Sequence, residues 1–137
     1  MTIDEFRIKH STLIEQYQFI EFRLKGIYAV VSGKNFFEGL DDVEESNMGK
    51  LIIEIKKFDS QRNVPVIAAD LYDRIESVRL KRNYWSHNCY TSMAFKTNGD
   101  PKNEEKIKEL KKDLREAEDL RNILYEIFME IGKELRL

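Results

Sequence analysis

With one cysteine, Cys89, the chain can form no intrachain disulfide, and such sparing use suits a reducing compartment. Two prolines and six glycines in 137 residues leave room for long uninterrupted helices. No apolar run approaches the roughly 20 residues that a membrane span needs. The start, MTIDEFRIKH, is amphipathic and acidic where a signal peptide is basic and then apolar. A cytoplasmic protein without a membrane partner is therefore expected. A net charge of -2 excludes a bulk polyanion binder, so any nucleic-acid site must be a local basic patch or a groove completed by a partner. Two histidines and one cysteine give no zinc-cluster spacing. The Glu-x-x-His pairs of di-metal bundles are missing, as are a glycine-rich phosphate loop and a GxSxG elbow. No metal or cofactor is expected.

What remains is 42% hydrophobic and 35% charged, enough apolar residues for one core across a single domain, 1–137. The apolar spacing is helical throughout. Thr2 and Glu5 match a capping box, and Phe6, His10, Leu13, Tyr17, Ile20, Leu24, Ile27 and Val31 keep a four-three alternation up to Ser32-Gly33. Gly26, inside this helix, predicts a close helix–helix approach or a slight bend. In 34–46, Phe36, Phe37, Leu40 and Val43 suit a turn of helix, with Asp41, Asp42, Glu44 and Glu45 as a solvated acidic rim. A second helix is expected near 47–58, capped by Ser46 or Asn47. A third follows over 66–90, with Pro65 at its first turn. The last is opened by Asp100-Pro101 and carried by Ile107, Leu110, Leu114, Ala117, Leu120, Leu124, Ile127, Ile131 and Leu135. Its charged first half should be solvated and its broadly apolar second half, NILYEIFMEI, buried more deeply. At about 50 Å it exceeds what a small bundle needs, so its excess should protrude or meet another subunit. The fold class is all-α, an antiparallel bundle of four principal helices.

The third helix carries the chemistry. Ile67, Leu71, Ile75, Val78, Trp85 and Cys89 form an apolar stripe, interrupted by Arg82 where the seam requires an apolar residue. Glu76, Arg79, Asn83, Ser86, His87 and Tyr90 form a polar strip beside it. A buried guanidinium needs partners, so packing alone does not account for Arg82. Cys89 reads as core, and His10 as a satisfied histidine within its own seam.

The string RNYWSH places Arg82, Asn83 and His87 as arginine, polar residue and histidine. It resembles the R-x₄₋₆-H signature of the HEPN superfamily (higher eukaryotes and prokaryotes nucleotide-binding domains), whose members are four- or five-helix bundles with this motif toward the end of a late helix. The resemblance covers the bundle as a whole and is residue-specific only at the motif. A subset of that family, paired with nucleotidyltransferase antitoxins, carries a tyrosine two residues after the histidine. Tyr90 stands three after His87, so the chain departs from that subset.

The resemblance implies metal-independent RNA cleavage, and the residues have the chemistry to support it. His87 would accept the proton of a ribose 2′-OH as it attacks the adjacent phosphate, giving a 2′,3′-cyclic phosphate and a 5′-OH. Arg82 would bind that phosphate and stabilise its developing charge. Asn83 would orient His87 or hold a phosphate oxygen, and Arg79, Ser86 and Tyr90 would bind substrate. On an ideal helix, residues five apart point about 140° apart, so either the helix breaks near Trp85-Ser86 or a second copy completes the site. A homodimer resolves this and supplies a second histidine, and the resemblance implies the same arrangement. The expected partners are RNA, a second copy, and an antitoxin or other regulatory protein; the function is that of a toxin or defence effector. The competing readings are a non-catalytic HEPN-type module binding RNA, nucleotide or protein, and a plain helical interaction protein.

Overall fold

A computed structural model describes residues 1–133. It is helical: α1 (Ile3–Val31), α2 (Phe36–Val43), α3 (Met48–Asp59), α4 (Ala69–His87), α5 (Cys89–Met93) and α6 (Glu104–Gly132). The start of α1 is set by Thr2, whose hydroxyl accepts from the amide of Glu5 at 3.1 Å, and its end by Gly33 at φ 72°. Asn35 and Asn47 cap α2 and α3 through their side-chain oxygens. The expected apolar seams of α1 and α4 are buried, Trp85 completely.

Two helices start later than expected, each because a carboxylate holds the chain preceding it. Pro65 lies outside α4, which begins at Ala69. The buried carboxylate of Asp59 accepts from the amides of Val66 and Ile67 and from the Tyr72 hydroxyl, so it fixes the segment before the helix. Likewise, Asp100-Pro101 does not open α6. Asp100 Oδ1 accepts from the amide of Ile3 at 2.9 Å, serving the first turn of α1, while Pro101 pairs with Phe95 in an isolated bridge. Asn103 caps α6 instead. Leu135, assigned to the last helix by its spacing, lies outside the described residues.

Helix directions follow from the contacts. α4 runs against α1 (Glu21 beside Arg82, His10 beside Trp85) and against α6 (Lys81 with Asp113, Arg74 with Asp119). α1 and α6, however, run the same way. Ile3 meets Asp100, Gln16 meets Arg121, and Gly26 meets Phe128. The expected antiparallel bundle of four principal helices differs in one respect: short α2 takes a return leg of its own, which leaves the first and last principal helices, α1 and α6, parallel. At 29 residues each the two long helices match side by side, so α6 is not overlong for its partner. A Cβ on Gly26 would come within 2.9 Å of the Phe128 ring, so glycine there permits the close approach expected from the sequence.

Ala94, just after α5, has φ 50°, a left-handed backbone that costs a non-glycine residue about 1–2 kcal/mol. Its side chain is exposed, so little packing is lost without it. Ala94→Gly is expected to stabilise the fold by about 0.5 kcal/mol after the greater freedom of glycine in the unfolded chain is offset. A lower urea midpoint than wild type would refute this.

Candidate functional site

Three contacts anchor the inner face of α4. The Trp85 indole N–H donates to Asp113 Oδ2 at 2.8 Å, deep in the core. Lys81 Nζ donates to Asp113 Oδ1 at 2.8 Å and to Glu116 Oε2 at 3.0 Å. Asp113 is 2% exposed, so its charge is met by an ammonium and an indole N–H instead of water. Burial pulls the Lys81 ammonium down, but the hydrogen bonds to Asp113 and Glu116 outweigh it and the net shift is upward. Tyr17 lies in the same core, its hydroxyl buried without a hydrogen-bond partner. Burial, and then the nearby charges of Asp113 and Glu116, drive its pKa far upward and keep it neutral.

With Trp85 fixed inward, helix geometry turns Asn83 and His87 outward, about 40° apart on one face. Asn83, Ser86 and His87 are all exposed. Their side chains make no hydrogen bond or ion pair with another described residue. Arg82 sits at the margin of the seam, with a third of its side chain exposed, and its Nη1 is 2.8 Å from Glu21 Oε2. Glu21 also has Lys25 Nζ at 3.9 Å. The lone charge in the seam thus has the glutamate partner that a structural role requires.

The helix does not break near Trp85-Ser86. It continues through His87 and turns at Asn88 (φ -118°, ψ -5°) into α5. The turn frees the Trp85 carbonyl, and His10 takes it: its Nε2 donates to Trp85 O at 2.8 Å, with Cys89 Sγ 3.4 Å from the same nitrogen. His10 is therefore the satisfied histidine expected, and it closes the end of α4. His87 is left free of that task. Cys89 is core, its thiol pushed up by burial.

The other proposed contacts separate. Arg79 is engaged one turn back by Glu76, Nε to Oε1 at 2.9 Å, and this hydrogen bond holds the Glu76 carboxyl below its usual range. Tyr90 lies beyond the turn, off the α4 strip. Its half-exposed ring packs edge-on against Phe6 and His10 and stacks on Phe95. The expectation that Tyr90 continues the polar strip fails because the helical register ends at His87. The chain thus brings Asn83, Ser86 and His87 to one exposed end of α4, with Arg82 alongside and Arg79 a turn below.

Sequence reasoning missed Asp113, Glu21 and the capping role of His10. Asp113 carried a readable signal, since it lies three after Leu110 and four before Ala117, on the buried stripe of α6. Among the described residues no group of three or more His, Cys, Asp or Glu side chains is placed to share a metal ion, and no helix is long and apolar enough to cross a membrane. Comparison with protein-family models, curated proteins and solved structures gave no significant match.

Proposed function

We propose that the chain is a metal-independent endoribonuclease of the HEPN type, acting as a homodimer and serving as a toxin or defence effector under an antitoxin or other regulatory protein. The observation that carries this reading is the exposed, unpartnered face of Asn83, Ser86 and His87 on a helix whose opposite face is locked by Trp85 and Asp113. His87 accepts the 2′-OH proton while Asn83, one turn back, orients it or holds a phosphate oxygen. Arg82 uses one guanidinium nitrogen on Glu21, which leaves other N–H donors of its fork for a phosphate. Because α4 is continuous from Arg82 to His87, the two side chains diverge by about 140°, and the arginine of one copy works with the histidine of the other across the dimer cleft.

Cleavage of single-stranded RNA is expected to persist in EDTA and to leave 2′,3′-cyclic phosphate ends. Loss in EDTA with recovery on adding Mg²⁺ would overturn the mechanism. Arg82→Ala should impair both binding and cleavage while costing about 1 kcal/mol or less of stability. Its pair is partly exposed and Lys25 remains beside Glu21.

One observation favours a second reading. The Arg82–Glu21 pair is a sufficient structural role for the arginine, which suits a non-catalytic HEPN-type module that binds RNA, nucleotide or protein. Such a module would bind without cleaving, and Arg82→Ala would lower its melting temperature without an activity to lose.

A further inference from the structure

The second half of α6 is not buried as its apolar breadth predicts. α4 covers the first half, through Asp113, Glu116 and Asp119, whereas Tyr125 and Met129 remain 43% and 50% exposed. Between α1, α2 and this part of α6 lies a cleft of about 270 Å³ lined by Phe22, Arg23, Gly26, Phe36, Leu40 and Phe128. Its walls are apolar except for Arg23. The missing side chain of Gly26 lets the Phe128 ring form one wall.

Among the described residues, no carboxylate pairs with Arg23. Its guanidinium carbon lies 4.6 Å from the centre of the Tyr125 ring and 5.6 Å from that of Phe22, so aromatic rings hold it in place through cation–π attraction. Its Nε is buried with no hydrogen-bond partner. With Nε covered, the terminal Nη groups, which no described residue engages, are the donors left to grip a carboxylate in a two-pronged pair. An apolar cleft with one convergent polar group is the usual form of a small-ligand site, and this one has room for about one ring and its carboxylate.

We propose that the cleft is a binding site for a small monocarboxylate with an aryl or branched-alkyl body, lying against Phe36, Leu40 and Phe128 with its carboxylate on Arg23. The site is independent of Arg82 and His87.

The test titrates isotope-labelled full-length protein with 3-phenylpropionate and, separately, with the uncharged 3-phenylpropan-1-ol, following amide resonances by NMR. The acid is expected to shift residues around Gly26 and Leu40 and to bind about ten- to hundredfold tighter than the alcohol, as a charge-assisted pair allows. Arg23→Met should erase that difference, and Leu40→Trp, at a partly exposed position, should fill the cleft and block both compounds. The comparison of acid with alcohol on the wild type needs no variant, so a misfolded mutant does not spoil it. Equal binding of the two compounds, shifts away from the cleft, or no saturable shift would overturn the proposal. The last result would favour a face covered by another protein.

Discussion

His87→Ala is expected to lower RNA cleavage about 10²–10⁴-fold, the range that a positioned general base contributes, while the fold is left intact. The side chain is exposed and carries no described contact, and His10, not His87, closes the end of α4. Removing it should therefore change stability by no more than about 0.5 kcal/mol. Cleavage and thermal melting, measured together, check the two halves of this expectation. His10→Ala is the matched control. It should cost stability, because the Trp85 carbonyl loses its donor, yet leave more activity than His87→Ala. If His10→Ala were the more damaging to cleavage at equal folding, the roles assigned to the two histidines would have to be exchanged.

Asp113→Ala should produce the largest loss of stability. It leaves the buried Trp85 indole N–H without an acceptor and Lys81 with Glu116 alone. Breaking one side of a buried pair costs about 3–5 kcal/mol. Lys81 is partly exposed and keeps one carboxylate, so about 3 kcal/mol is the expected cost, with a melting temperature lower by about 10 °C for a chain of this size. Asp113→Asn keeps an acceptor for Trp85 and should lose less. Melting within about 2 °C of wild type would show that the network does not support the fold. Because the same contacts fix the rotation of α4, Asp113→Ala should also weaken cleavage below the temperature at which it melts.

Local rules made most of the helices legible, because capping residues and apolar spacing act within a few residues. Thr2 and Asn47 start their helices, and Gly33 ends α1, where the chain itself specifies. Misjudged boundaries were those set from a distance. Asp59 reaches seven and eight residues forward to Val66 and Ile67, past the three-residue span of a helix cap, and Asp100 reaches across the whole chain to Ile3. The direction of α6 differs from expectation because segment 34–46, which reads as a turn of helix, forms an eight-residue return leg. At the site, periodicity correctly turned Trp85 in and Asn83, Ser86 and His87 out. It could not place Tyr90, because the turn at Asn88 ends the register, and it could not pair Arg82 with Glu21, sixty-one positions away.

The most direct measurement of the composite site mixes two inactive chains. Arg82→Ala and His87→Ala are refolded together, the heterodimer is isolated with two affinity tags, and RNA cleavage is compared with each parent homodimer. In a two-fold dimer whose sites each join the arginine of one copy to the histidine of the other, one site of the heterodimer keeps both groups, so about half of wild-type activity should return. An isolated heterodimer as inactive as its parents, or a wild-type protein that cleaves no RNA, would contradict the account.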